Sequence, residues 1–411
     1  MLAGLLVIGT QSVFPAQAAP SGNTKAFWAV QRSPNPSGNG GFSGVDCRSA
    51  TACTAVGSYY DHATKHGLPL AASWNGRTWT VQPTQAPAQR GDSDLRGVSC
   101  AGRRFCVAVG RDMLTVDRWI ALAEVWRGRR WEITRTPPVA LPSLEAVSCS
   151  SATDCMAVGA TGQLALVEHW DGTRWTIQRV PLPPGSVSSV LYGVSCVSRI
   201  WCMAAGFYGH EHYGDTYAFT EIWIGRHWSI IPAQQIPDAA SQFLRVSCTS
   251  KASCTAVGTY NKSGYYPLAE RWNGKIWAIQ SAPHPKGQLD STLLGVGCST
   301  ARACSAVGWY MTDRGHIYTF ADSWNGKVWV LQATVNPSDD LNVLSSVACT
   351  SATACTAVGS YAGPESVTLS LIERYSACRA PSRRRDATGA GRPGRSPRSR
   401  AQRSRGSLAG A

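Results

Sequence analysis

Apolar residues in this chain come in bursts of four to seven, and the bursts recur in sets of four. One burst ends at a cysteine, as in "LRGVSC", "LEAVSC", "LYGVSC" and "FLRVSC". A second follows another cysteine: "CTAVGSY", "CMAVGA", "CSAVGWY". A third runs up to a tryptophan ("PLAASW", "LALVEHW", "YPLAERW"), and a fourth begins at one ("WTVQ", "WTIQ", "WAIQ", "WVLQ"). No window carries a helical period. Short segments rich in Val, Ala, Ile and Trp predict β-strands. Between the third and fourth stands Asn75-Gly76, Asp171-Gly172, Asn273-Gly274 or Asn325-Gly326, which supplies the positive φ of a tight, primed hairpin turn. The tryptophans around each turn, such as Trp74 and Trp79, then share one face as a cross-strand pair.

The set returns seven times. Cys47, Cys100, Cys149, Cys196, Cys248, Cys298 and Cys349 each stand six residues before Cys53, Cys106, Cys155, Cys202, Cys254, Cys304 and Cys355, and successive sets begin 47 to 53 residues apart. Seven units of four antiparallel strands predict an all-β fold, a seven-bladed β-propeller over residues 20–375. "GVSC" and "AVG" suit crowded innermost strands, because small residues occupy both faces. The seventh unit lacks a Trp-initiated strand, and a spare one, "WAVQ" at Trp28–Gln31, precedes the first unit. That strand is expected to close the ring, which removes the free sheet edges.

Pairing Cys100 with Cys106 sets Val98 opposite Ala108, and two opposed cysteines at a hairpin end lie within disulfide reach. Zinc sites combine tight pairs with a second pair or with histidine. Here each pair is alone on its blade, so seven disulfides are expected and no metal. Cys378 is the fifteenth cysteine and belongs to the tail.

Charge changes the picture only at the ends. Residues 376–411 hold ten Arg and one Asp, a net +9 of the chain's +14, which leaves a body at only +5. Net charge is therefore no argument for specific nucleic-acid binding. Two readings stand for the Arg-rich tail. It is a disordered basic arm for anionic envelope polymers, or the product of a reading-frame change near Ser376. At the other end, "MLAGLLVIGTQSVFPAQAAP" has a short apolar run leading to Ala16-Gln17-Ala18. It reads as a secretory signal peptide over residues 1–19, so a secreted, extracellular protein in an oxidising compartment is expected. The run is too short to span a bilayer, and no other stretch is long enough.

Strand direction puts the cysteine hairpins and the Asn-Gly turns on one face of the disc. The opposite face carries long, irregular loops rich in aromatic and polar groups. The candidates for ligand binding lie there: Tyr59, Tyr60 and His62; Trp119, beside Arg111 and Asp112; Tyr208, His210 and His212; Tyr260 and Tyr265; Trp309, Tyr310 and His316; and Tyr361. Aromatic rings beside hydrogen-bonding groups suit sugars or peptides. Asp61 and Glu211 are the acid/base candidates of an enzyme reading, and His210-Glu211-His212 is the one metal-like string. The glutamates of the third strands, Glu124, Glu168, Glu221, Glu270 and Glu373, recur at one station. Such recurrence predicts a bonding role between strands rather than catalysis.

The "VSC…C.AVG" and "WNG..W" strings resemble the cysteine-paired repeat of exported actinobacterial β-propeller proteins of unassigned function. "SWNGRTW" at residues 73–79 is also distantly similar to the Asp-box of sialidase-type propellers, with Asn in place of Asp except at Asp171. That resemblance implies a propeller and carries no sialidase activity with it. The expected role is a secreted, monomeric binding or scaffold module for a glycan or protein ligand, with no cofactor. The alternatives are an extracellular glycoside-acting propeller enzyme and a purely structural envelope protein.

Overall fold

A computed structural model describes residues 26–87, 91–115, 117–210 and 216–376. The expected leader, the Arg-rich tail, Cys378, Glu211 and His212 fall outside the described residues. Seven four-stranded antiparallel sheets follow one another in the chain. The first strands are Gly40–Ser49, Asp92–Gly102, Pro142–Ser151, Ser188–Ser198, Ala240–Ser250, Gln288–Thr300 and Asn342–Ser351. Each touches the first strand of both neighbouring blades, so together they form the inner wall of the ring. The fold is the seven-bladed propeller that the repeat predicts.

Closure happens as expected. Phe27–Val30 pairs with the third strand of blade 7, Thr368–Ser376, with Trp28 opposite Tyr375 and Val30 opposite Glu373. The Trp28 indole is 3% exposed and lies 5.3 Å from the Tyr375 ring. Its Nε1 donates to Gln332 Oε1 of blade 6 at 3.0 Å, and Gln332 Nε2 donates to the Tyr375 hydroxyl at 3.0 Å. The segment that follows is lashed to the same strand. Ser370 N–H donates to Asn35 Oδ1 at 2.6 Å, and Ser33 Oγ donates to Ser370 O at 2.6 Å.

Two repeat features have physical causes that spacing alone does not reveal. The glycine of each "AVG" (Gly57, Gly110, Gly159, Gly206, Gly258, Gly308 and Gly359) faces a bulge in the first strand. An added Cβ would sit 1.8 to 2.0 Å from a carbonyl oxygen there, so no other residue fits. The serine before the first cysteine joins blades. The hydroxyls of Ser99, Ser148, Ser195 and Ser247 accept from the N–H of Cys149, Cys196, Cys248 and Cys298 of the next blade at 2.9 to 3.0 Å. Asp46 does the same for Cys100 at 2.6 Å. Gly297 and Ala348 occupy this position in blades 6 and 7 and have no hydroxyl to offer.

All seven cysteine pairs are bonded, each across a separation of six residues. Seven disulfides point to an oxidising, extracellular environment. Among the described residues no helix is long and apolar enough to cross a membrane. A bond closing so short a loop stabilises by roughly 2 kcal/mol in the loop-entropy estimate. Replacing the Cys196 and Cys202 pair by alanine should therefore lower the urea midpoint measurably without loss of the β-sheet circular-dichroism signal. An unchanged midpoint would remove the stapling role.

Of closure by two residues or by four, both compatible with the shared face of the tryptophans, the turns take the second. Trp74 pairs directly with Trp79, so four residues make the loop. Gly76 sits at φ +96°, and Asn75 Oδ1 accepts from the N–H groups of Arg77 and Thr78 at 2.8 and 2.9 Å. Asparagine is used for its side-chain acceptor as well as for its turn preference. The indole pairs form as expected, with ring centroids 5.5 to 5.8 Å apart in blades 1 to 6.

Candidate functional site

The loop-face candidates do not gather in one place. Tyr59, Tyr208, Tyr260, Tyr310 and Tyr361 share a single station, two residues past the "AVG" glycine. Alternation along the strand turns each ring toward the preceding blade, where it packs on the hydrophobic cluster between blades. Burial raises the hydroxyl pKa of Tyr59, Tyr208, Tyr260 and Tyr310. These rings cap the core. Tyr60 and His62 are exposed and meet edge to face at 5.2 Å. His210 Nδ1 lies 2.7 Å from Gly185 O, and its ring joins Tyr208 and Tyr217. Tyr265 is exposed, with its N–H held by Asp290 Oδ1 at 2.7 Å. His316 stacks on Tyr318 at 6.2 Å, and Trp309 is half-buried, opposite Thr292 and Thr319 in blade 6. Asp61 is committed to its own turn. Its oxygens accept from the N–H groups of Ala63 and Thr64 and from the Thr64 hydroxyl, and these bonds, the hydroxyl's first, hold its pKa low. A carboxylate so stabilised is a poor general acid.

Trp119 belongs to a different arrangement. The Arg111 guanidinium lies over its ring at 4.8 Å. Arg111 Nε is 3.5 Å from Asp94 Oδ2, and Arg96 Nε donates to Asp94 Oδ1 at 3.1 Å. Arg96 Nη1 then reaches Glu145 of the next blade, at 2.7 and 2.6 Å from its two oxygens, and Ser143 Oγ donates to the same carboxylate at 2.6 Å. Burial alone would raise the Glu145 pKa, but the Arg96 charge and its hydrogen bonds outweigh this and hold it low. Burial likewise opposes the Arg96 charge, and Asp94 and Glu145 overcome it and push the pKa up. Tyr192 of blade 4 and Arg245 of blade 5 feel the same charges. Arg245 Nη1 donates to the carbonyl oxygens of Tyr192 and Leu244 at 2.7 and 2.8 Å. Among the described residues no carboxylate stands within ion-pair distance of it.

This band therefore runs from Trp119 at the rim of blade 2 to the inner wall of blades 2 to 5. It holds three arginines against two carboxylates, both of which already face Arg96. Beside Trp119 lies a groove of about 550 Å³ whose walls include Ile133, Pro137, Val139 and Pro142. The indole Nε1 of Trp119 is buried without a hydrogen-bond partner among the described residues.

Sequence reasoning reached Trp119, Arg111 and Asp112 but missed Asp94, Arg96, Glu145, Tyr192 and Arg245. The signal was present. The residue after the buried Leu or Phe of the first strand is Ser43, Leu244, Leu294 or Ser345 in four blades, but Arg96, Glu145 and Tyr192 in the other three. The next residue is Gly or Ala or Ser in six blades and Arg245 in one.

The recurring glutamates also need a correction. They do not bond strand to strand. Glu124, Glu270 and Glu373 accept from the N–H of Gln85, Gln234 and Val335, in the connections that lead from the preceding blade. The carboxyl oxygens of Glu168 and Glu221 have no partner among the described residues. Asp322 is a sixth member of the set, and Ala72 stands at the seventh station. All six acids are fully buried. Burial pushes Glu124 and Glu270 up to about 7, and Glu168, Glu221, Asp322 and Glu373 up to about 8. Burial thus favours the neutral form of each, and full enclosure suits the structural role that recurrence predicts.

No protein-family model matches the chain, and no curated protein aligns with it. Solved structures do. The RRP9 WD40 repeats share 11% identity at a TM-score of 0.55, covering 86% of this chain and 99% of that one. YCF48 bound to D1 peptide shares 12% at 0.54, covering 85% and 97%. The polysaccharide lyase PL25 ulvan lyase bound to GlcA(1-4)Rha3S shares 9% at 0.52, covering 80% and 90%. At such identities the likeness is one of fold. One of these neighbours is bound to a peptide and another is a polysaccharide lyase, so the fold alone does not choose between binding and catalysis.

Proposed function

We propose that this propeller is an extracellular binding module that holds an acidic glycan at the corner of blades 2 to 5. One observation carries the reading: Arg245 stands at a position that is small in every other blade and is bonded to carbonyl oxygens alone. A guanidinium so placed, with Arg96 near enough to feel its charge, is suited to a carboxylate or sulfate that it can grip with paired N–H donors. Trp119 and its groove supply the flat apolar surface that a sugar ring stacks against. Binding rather than turnover is favoured because Glu145 and Asp94 are engaged by Arg96 and Asp61 by its turn. Among the described residues no second carboxylate free of such a partner faces these two across the corner. The ulvan lyase holds a saccharide containing GlcA, an acidic sugar, on the same kind of scaffold.

The test is a titration of the intact protein with oligogalacturonate and with neutral cello-oligosaccharide. Oligogalacturonate should bind with an affinity that falls as salt rises. Arg245→Gln should weaken it at least tenfold, while Tyr60→Ala leaves it unchanged. Equal binding of the neutral sugar, an unaltered Arg245→Gln affinity, or release of reducing ends from oligogalacturonate would defeat the proposal.

A further inference from the structure

The disulfide face, uniform in sequence, is not uniform in its joints. At each joint between blades, the residue before the third-strand aromatic of one blade points toward the third-strand aromatic of the next. At the joint of blades 5 and 6 this residue is Arg271. Its guanidinium lies over the Trp324 ring at 4.6 Å, donates to Thr255 Oγ1 at 2.9 Å and to Ala301 O at 2.7 Å. At the joint of blades 7 and 1 it is Arg374, over the Trp74 ring at 4.8 Å and donating to Ala50 O at 2.7 Å. His169 fills the position between blades 3 and 4 and contacts Asp154 at 2.8 Å, while Val125 and Ile222 fill two more with aliphatic side chains.

Two joints have only a serine. Ser73, between blades 1 and 2, borders a cleft of about 230 Å³ that reaches Thr54, Arg103, Cys106 and Trp126. Ser323, between blades 6 and 7, borders one of about 280 Å³ that reaches Ser305, Ala352, Cys355 and Tyr375. Residue for residue these are the parts that receive Arg271. Thr54 and Ser305 stand where Thr255 does, one place after the second cysteine. Arg103 and Ala352 stand where Ala301 does, three places after the first. Trp126 and Tyr375 stand where Trp324 does. Asp46 also lines the first cleft, its carboxyl accepting from the Cys100 N–H at 2.6 Å, and Arg48 and Arg103 line it too.

We infer that these two clefts are receptor slots for arginine side chains of a partner polypeptide. The aromatic floor, the hydroxyl and the backbone carbonyl would hold an incoming guanidinium as they hold Arg271. An ammonium can meet the ring but cannot span the hydroxyl and the carbonyl with one planar fork, so arginine is preferred over lysine. The slots lie on the face opposite the loops, so this inference stands apart from the acidic-glycan reading.

Agmatine, which is arginine without its carboxylate, is the probe, followed by NMR titration of the Trp126 indole in the intact protein. Saturable binding is expected, at least fivefold tighter than that of cadaverine, its ammonium counterpart. Ser73→Arg with Ser323→Arg supplies each slot with an internal occupant. This variant should lose agmatine binding and melt at a higher temperature than the parent. Trp126→Leu should weaken binding at least threefold at the first slot, which keeps the inference testable if the arginine variant folds poorly. Absence of saturable agmatine binding, binding that survives in the doubly filled variant, or equal binding of cadaverine would overturn it.

Discussion

The melting temperature of this protein should fall steadily as pH rises from about 5 to about 8.5. Six carboxyls sit fully buried in the gaps between blades: Glu124, Glu168, Glu221, Glu270, Asp322 and Glu373. Burial raises their pKa in the folded chain to about 7 or about 8. In the unfolded chain they would titrate near 4, as model carboxyls do. Between those limits the unfolded chain has released protons that the folded chain still holds. Stability then declines with pH, by roughly 1 kcal/mol per pH unit for each group that is protonated only in the folded state. Below about pH 4 both states hold the proton and this contribution is complete. Glu145 works in the other sense, since Arg96 keeps it ionised in the folded state and its contribution is lost as acid protonates it. The two trends place the stability maximum on the acid side of neutrality. Calorimetry from pH 4 to pH 9 tests the slope. Glu168→Gln combined with Glu221→Gln keeps shape and removes two titrating groups, so the profile should flatten and the variant should gain on the parent above pH 8. A profile that is level or rising between pH 5 and pH 8.5 would rule out neutral buried acids.

These acids show where sequence reasoning stops. That Glu recurs once per blade was visible, and so was the conclusion that recurrence argues against catalysis. What they bond was not visible, because their partners lie in a connection 36 to 39 residues earlier in the chain. The blades were legible because every signal for them is local: the cysteine spacing, the Trp-bounded turns and the glycine of "AVG" each act within one hairpin. The charged corner was not, although its residues were in plain view. Arg96 and Glu145 are 49 residues apart, and only superposing one blade on another shows that both replace small or apolar neighbours at one ring position. The loop-face tyrosines show a second role that spacing hid. Tyr59, Tyr208, Tyr260, Tyr310 and Tyr361 invite a binding reading because they stand at strand ends. Yet their shared distance from the "AVG" glycine fixes which way alternation turns them, and it lays them, half-buried, against the core.

Removing the latch should cost more than removing its equivalents elsewhere. Trp28→Ala deletes a side chain that is 3% exposed, along with its bond to Gln332 and its contact with Tyr375. Packing alone makes such a truncation worth about 3 to 5 kcal/mol. Trp175→Ala is the control, since Trp175 is 4% exposed and occupies the same station in blade 3. The difference lies in how the two strands are tied. Trp175–Gln178 is joined covalently to its own blade through the Asp171-Gly172 turn and to blade 4 beyond it. Phe27–Val30 is tied covalently to blade 1 alone, and its hold on blade 7 is entirely non-covalent. Weakening Trp28 therefore frees the strand from blade 7 and bares the edge of Thr368–Ser376, which a second molecule can pair with. Trp28→Ala should lower the melting temperature further than Trp175→Ala. It should also speed hydrogen exchange at the amides of residues 369–375 and produce concentration-dependent oligomers on gel filtration. Equal losses for the two variants, with unchanged exchange in blade 7 and a single monomer peak, would mean that the ring is held shut by its inner strands and not by the borrowed one.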